Sequence, residues 1–307
     1  MKFLVLFISL CFSSSLLAQE SSFTKQDISV NKHIDGTLLS PNNVKKPNLA
    51  IIIAGSGPTD RDGNQNFLKN NSLKKLAVNL TNNNIATYRY DKRIVKQLKS
   101  NNLDKNIIFD HFVTDAKSVI DYFKSTKNFN KIYVIGHSQG SLVGMLAAKD
   151  RADGFISLAG AGQSIDQVII EQVNKTAPNF TEDTKRIFKT LKEGKTTTDY
   201  PMALSSIFNI EIQKFMINWM KYNPTEVLST LNIPILVING TKDLQVSETE
   251  AKLLKEANKD ATLKIIENMN HVLVTIEGDN LENSKSYAET QRPIAEGLID
   301  TITNFIK

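Results

Sequence analysis

Cysteine is nearly absent from this chain of 307 residues: Cys11 is the only one. A lone thiol excludes an internal disulfide framework and a thiolate metal cluster, so cohesion has to come from a packed core. Charge of one sign is not concentrated either. The 37 Lys and Arg exceed the 32 Asp and Glu by five, but they are spread along the chain without a basic block or interleaved aromatics. That distribution favours solubility and speaks against a nucleic-acid partner. No G-x-x-x-x-G-K-[ST] run and no G-x-G-x-x-G spacing is present, which leaves nucleotide binding without a phosphate cradle. Internal repeats and long low-complexity stretches are missing as well. What remains, 41% hydrophobic and 22% charged residues, is the balance of an ordinary globular protein rather than a disordered one.

The first residues, "MKFLVLFISLCFSSSLLAQ", read as an export leader. Lys2 supplies the positive start, and Phe3 to Phe12 an apolar stretch too short for a stable membrane anchor. Ala18 supplies the small residue before a cut. The expected organisation is a signal peptide at 1–18 and a mature domain at 19–307, in the periplasm or outside a bacterial cell. An uncleaved anchor is the alternative. Lipidation at Cys11 is disfavoured by the bulky Leu10. Cleavage after Ala18 leaves a mature chain without any thiol.

Beyond the leader, buried-strand patterns alternate with amphipathic helix patterns. Ile28–Val30 and Thr37–Leu39 flank Asp35-Gly36, a tight-turn signal. Leu49–Ala54, Ile85–Tyr90, Ile132–Ile135 and Gly154–Leu158 read as strands, with helix spacing between them at Leu73, Leu76, Ala77 and Leu80 and again at Phe112, Ala116, Val119, Ile120 and Phe123. From Gly160 to Pro224 only helix patterns occur: Ile165–Val173, Asp183–Leu191 and a single helix over Ala203–Met220. Strands then return at Ile233–Ile238 and Leu263–Ile266, with a capping box of Ser247 and Glu250 between them and a closing helix through Ile294, Leu298, Ile302 and Phe305. The pattern predicts an α/β fold: a mostly parallel, eight-stranded sheet with helices on both faces and a helical cap, 160–224, inserted after the sixth strand. That is the α/β-hydrolase layout.

The stretch "IYVIGHSQGSLVGMLAA" places Ser138 in G-x-S-x-G between a strand and a helix. Such a turn is sharp, and it holds the serine out at its tip as a nucleophile elbow. A serine needs a base. Of the four histidines, His137 adjoins Ser138 but points elsewhere, His33 sits by the first hairpin and His111 at a helix start. His271 falls on the loop after the last strand, at the sheet edge where catalytic groups of such folds collect. The acid that orients it is expected to be Asp243, in "NGTKDLQV" after another apolar strand, giving the chain order Ser138, Asp243, His271. Glu267 is the competing acid, too close in sequence to His271. The amide of Gln139 and that of Ser56, in "AGSGPTDRDGN", are the expected oxyanion donors. Asp60, Arg61 and Asp62 are expected to brace that loop by local ion pairs. A calcium loop does not fit "DRDGN", since Gly63 stands at the wrong position and no distal Glu is spaced for it. Phe208, Phe215, Met216 and Trp219, at helical spacing in the cap, are candidates for the substrate wall.

"GSGPTDRDGN", "YRYDKR", "GHSQGSLVGMLAA", "LAGAG" and "NGTKDLQV" occur in this order, and over nearly all of the mature length the chain resembles bacterial α/β-hydrolases of the serine aminopeptidase-like/carboxylesterase type. The resemblance implies a Ser–Asp–His hydrolase that needs no cofactor or metal and acts on small-molecule esters with short acyl groups. It carries the triad to Ser138, Asp243 and His271, and the oxyanion donors to Ser56 and Gln139. One departure stands next to the expected site: Ile94, Val95 and Lys96 follow "YDKR" where the family has a glycine-rich turn. A peptidase or amidase on the same triad stays open, with Glu171, Asp183 or Glu211 as anchor for a substrate amine. So does a silent ligand-binding scaffold. The oligomeric state is not indicated.

Overall fold

The structure, a computed structural model, describes residues 22–307. The leader, Cys11 and the expected cut after Ala18 lie outside the described residues. Eight strands form one sheet in the order β1-β2-β4-β3-β5-β6-β7-β8. Strands β1 (Phe23–Asn31) and β2 (Ile34–Pro41) make an antiparallel hairpin, and β2 pairs antiparallel with β4 (Ala86–Tyr90). All remaining pairs are parallel: β4 with β3 (Leu49–Ile53), β3 with β5 (Ile132–His137), then β6 (Gly154–Leu158), β7 (Ile235–Gly240) and β8 (Thr262–Ile266). This is the eight-stranded, mostly parallel sheet of the α/β-hydrolase fold, as expected.

The central strands are apolar because both faces are covered. Along β3, Ile51 and Ile53 face one layer while Ala50 and Ile52 face the other. The first layer contains α3 (Phe109–Thr126), α4 (Gln139–Ala148), α9 (Pro224–Ser229) and α10 (Glu248–Ala257). The second contains α1 (Ser72–Asn82) and α12 (Leu298–Ile306), whose Leu73, Leu76, Leu298 and Ile302 are buried against the sheet. Two shorter helices, α2 (Arg93–Lys99) and α11 (Asn280–Ser286), stand at the strand ends. Between β6 and β7 the chain leaves the sheet for α5 (Ile165–Thr176), α6 (Thr181–Lys192), α7 (Ser205–Phe208), α8 (Ile210–Trp219) and α9. Val173, Ile187, Phe188, Leu191, Leu204 and Phe208 give α5 to α8 a core of their own, while α9 returns to the first layer through Leu228.

Four local expectations are corrected. The hairpin turns at Lys32–His33, where Asn31 accepts the His33 N–H, and Asp35 and Gly36 lie inside β2. Gly36 is there for space: a Cβ would sit 2.3 Å from the Tyr88 ring. Ala203–Met220 is not one helix. Asn209, with φ −51° and ψ 134°, leaves helical geometry and caps α8 by accepting the Glu211 N–H, so the chain re-enters at a new angle. Ser247 and Glu250 form no capping box, because the buried Glu250 carboxylate instead accepts from Gly162 N, Gln163 N and Gln163 Nε2, where the chain enters the cap. The ion pairs of Arg61 and Asp62 are long-range: Arg61 reaches Asp91 and Asp27, and Asp62 reaches Arg89, while Asp60 accepts from the amides of Asp62 and Asn64.

Strand β5 and helix α4 meet almost backbone to backbone. A Cβ on Gly136 would come within 2.2 Å of Gly140 O and 2.6 Å of the Ser141 Cα, and one on Gly140 within 2.4 Å of Ile53 O. These neighbours are main chain and cannot rotate away. Gly136→Ala is therefore expected to cost about 1–3 kcal/mol, as overpacking does, read as a lowered midpoint in chemical denaturation with an unchanged m-value.

Candidate active site

Ser138 occupies the turn between β5 and α4 with φ 53° and ψ −123°, a conformation that a non-glycine residue adopts only when its surroundings enforce it. The enforcement is visible. Ser138 N donates to Leu158 O of β6, its carbonyl accepts from Ser141 N, and Gly55 abuts it so closely that a Cβ there would lie 3.1 Å from the Ser138 Cβ. Ser138 is half-buried at the N-terminus of α4, whose leading amides point toward it.

Asp243 and His271 come together from the loops after β7 and β8. His271 Nδ1 and Asp243 Oδ2 are 2.8 Å apart, and the Asp243 side chain has no solvent exposure. The other carboxylate oxygen of Asp243 accepts from the amides of Gln245 and Val246, which fixes its plane. Glu267, the rival acid, is exposed at the end of β8. His111 caps α3 by accepting the Ile108 N–H at Nδ1. His33 is partly exposed.

Two residues that hold His271 escaped the sequence reading. His137 is buried beside it, ring centroids 4.9 Å apart, and its Nε2 bonds the His271 carbonyl oxygen at 2.8 Å. That contact ties the turn bearing Ser138 to the loop bearing His271. Asn270 is fully buried. Its Oδ1 accepts from Val272 N and Val274 N, and its Nδ2 donates to Asn283 Oδ1 and Ser286 Oγ. Asn283 in turn donates to Lys242 O, one residue before Asp243. One amide network thus holds the loops of the acid and the histidine in register. The sequence signal, an Asn directly before the histidine, is too short to weigh by itself.

A cavity of about 540 Å³ opens above Ser138, with Ser56, Gly57 and Gln139 on its floor. Phe215, Met216 and Trp219 line it, as expected of the cap. Phe208 does not reach it: the break at Asn209 turns this residue into the core of the cap, fully buried with its ring 4.9 Å from Phe188. Ile94 of α2 lines the cavity too, so the departure from the family's turn after "YDKR" does shape the site. Across the mouth, Lys105 pairs with Glu211 of α8 at 3.1 Å, both ends exposed. Among the described residues no His, Cys, Asp and Glu cluster could hold a metal ion.

Behind the floor lies Lys92, 4% exposed, with its ammonium donating to Gly55 O and standing 5.3 Å over the Phe112 ring. Burial pushes it down to about 7. Desolvation, and next the neighbouring His271, push His137 down to about 3, so the imidazole stays neutral and donates from Nε2.

The sign of the consequence is fixed. The unfolded chain, with an ordinary histidine near 6.5, binds a proton that the folded chain refuses until about 3. Stability is complete above 6.5 and is lost as the pH falls through that interval, by about 1.4 kcal/mol per pH unit. His137→Gln, which keeps a donor, is expected to lose about 2 kcal/mol less than the parent between pH 6.5 and 5, measured by urea denaturation at constant ionic strength.

Comparison with known proteins agrees with this fold. Residues 70–279, more than half of the chain, match the family described as Serine aminopeptidase, S33. The chain is similar to Esterase EstD of Thermotoga maritima, with 27% identity over 84% of this chain and 62% of that one, so it spans about three-fifths of that relative's length. In fold it is similar to Est1E from Butyrivibrio proteoclasticus, with a TM-score of 0.55, 16% identity and coverage of 92% of this chain and 95% of the other. It is also similar to the esterase Pf2001 of Pyrococcus furiosus, with a TM-score of 0.51, 15% identity and coverage of 81% and 83%. With its elbow serine, its buried Asp–His pair and its inserted helices, the chain belongs to the serine aminopeptidase family, S33, of the α/β-hydrolases.

Proposed function

We propose that the protein is an exported carboxylesterase that works through an acyl-enzyme on Ser138. The observation that carries this reading is the Asp243–His271 pair, held by buried hydrogen bonds and tied through His137 to the elbow of Ser138. With Nδ1 bonded to Asp243, the neutral ring keeps its proton there and presents Nε2 as the base. His271 takes the Ser138 proton as Oγ attacks the ester carbonyl. The amides of Ser56 and Gln139 receive the charge on the carbonyl oxygen. The imidazolium returns its proton to the departing alcohol, leaving Ser138 acylated, and water repeats the sequence to release the acid.

An ester fits the surroundings better than a peptide with a free amino terminus. Of the carboxylates expected to anchor an amine, Glu171 and Asp183 do not line the cavity and Glu211 pairs with Lys105; Asp104, on the same lining, accepts from the amide of Asn106. The cavity also falls in the size range of pockets that enclose drug-sized ligands, well beyond an acetyl group. That volume has to hold both the acyl and the alcohol side of an ester, which accommodates the short acyl chains the family resemblance implies. Export rests on the leader alone. Mass spectrometry of the secreted protein is expected to find Gln19 at its N-terminus, and an intact Met1 or a lipid on Cys11 overturns it.

Ser138→Ala is expected to abolish labelling by a fluorophosphonate and to lower kcat by about 10⁴-fold or more while the fold is kept. Asp243→Asn, which reverses the donor to Nδ1, is expected to cost about 10⁴-fold in kcat as well. Persistence of ester hydrolysis in Ser138→Ala would show a different nucleophile. Comparison of p-nitrophenyl esters with aminoacyl anilides separates esterase from peptidase.

The cap residues are expected to divide. Phe215→Ala and Trp219→Ala shift the ratio of kcat/KM among acetate, butyrate and octanoate esters, because each methylene buried against them is worth about 0.8 kcal/mol. Phe208→Ala instead lowers stability by about 3–5 kcal/mol and leaves that ratio alone. Equal ratios in all three variants would remove the apolar wall from the substrate path.

A further inference from the structure

The loop Gly55–Gly57 must present an amide to the cavity, yet nothing in its own sequence aims it. A trans peptide is planar, and its C=O and N–H point in opposite directions. Among the described residues no peptide is cis. The carbonyl of Gly55 and the N–H of Ser56 belong to one such plane, so whatever grips the oxygen aims the hydrogen. The grip comes from Lys92. Its ammonium, which does not itself line the cavity, donates to Gly55 O and stands over the Phe112 ring. The next plane is held in the same manner, since Ser56 O accepts from Thr59 Oγ1 at 2.6 Å and from Gln65 Nε2 at 3.0 Å.

Lys92 stands in the run Asp91-Lys92-Arg93, and its neighbours have ordinary ion-pair partners. Asp91 meets Arg61 and Lys99, and Arg93 clasps Asp115 through two 2.7 Å bonds. Lys92 differs in burying its charge against a carbonyl and an aromatic face. A methionine of similar length would fill that slot without the cost of desolvating an ammonium. The position therefore holds a group that is expensive to fold and is bonded to the one carbonyl that backs the expected oxyanion donor.

We propose that Lys92 is a positioning residue for the oxyanion site: by holding the Gly55 carbonyl it turns the Ser56 N–H toward the oxygen of the substrate. The proposal rests on Ser138 as nucleophile and Ser56 as donor. The bond from an ammonium also polarises the shared peptide and strengthens its N–H as a donor, so Lys92 acts most where negative charge develops, in the transition state.

The test is Lys92→Met beside Ser138→Ala in the mature protein. Lys92→Met is expected to keep or raise Tm, to lower kcat by about 10²-fold or more, on the scale of losing one oxyanion donor, and to change KM by less than about twofold. Affinity for a trifluoromethyl ketone, which forms a hemiketal oxyanion on Ser138, should fall with kcat/KM. Affinity for the unreactive product alcohol should not. If Lys92→Met does not fold, Lys92→Gln, too short to reach Gly55 O, serves the same comparison. A folded variant with parental kcat, or one in which KM alone rises, overturns the role of Lys92 while an inactive Ser138→Ala leaves the hydrolase reading standing. An active Ser138→Ala overturns both.

Discussion

Main chain packed directly against main chain is the constraint on which the site depends. Gly136, Gly140 and Gly55 remove the side chains that would hold β3, β5 and α4 apart. The same closeness recurs at the far side of the sheet, where a Cβ on Gly240 would fall 2.0 Å from Met269 O. There the end of β7, which leads to Asp243, runs against the loop that leads to His271. The serine turn thus touches β3 main chain to main chain, the loops of the acid and the histidine touch each other in the same way, and the His137 side chain joins the two groups. Buried amides complete the arrangement by fixing each loop to the next, as Asn270 and Asn283 do.

Electrostatics are divided between surface and interior. The charged run after β4 faces two ways. Asp91 and Arg93 pair with Arg61 of the loop after β3 and with Asp115 of α3, and brace the edge of the site. Lys92 and His137 point inward, where burial lowers both. Each holds a different loop of the site: Lys92 is bonded to the loop at Gly55 and His137 to the loop at His271.

Much of the fold was legible because a sheet covered on both faces leaves nearly continuous apolar runs, and β6 matched its reading residue for residue. The three chemistry-bearing positions were legible because each follows such a run. What failed was local. Helical spacing from Phe208 to Trp219 is real, but periodicity does not register a break of one residue, which Asn209 makes by capping α8. Asp35-Gly36 looked like a turn because a glycine in a strand carries no mark of the Tyr88 ring that needs its space. Glu250 stood three residues after a serine, as in a capping box, while its partners Gly162 and Gln163 lie 88 and 87 residues away in sequence. Contacts of that range, including His137 with His271, belong to the tertiary fold and leave no local trace.

The ion pair between Lys105 and Glu211 joins the segment after α2 to a helix of the cap, and both partners are largely exposed. A pair in that setting is worth about 0–1 kcal/mol, little more than thermal energy. The cap does not depend on it: Phe215 and Trp219 of α8 pack on Phe109 and Phe112 of α3, Asn218 and Tyr222 bond Asp110, and the chain enters the cap at the buried Glu250. The pair is a surface latch on a cap already anchored at two buried points, and dissolved salt, by screening it, loosens that latch while leaving the aromatic and amide anchors untouched.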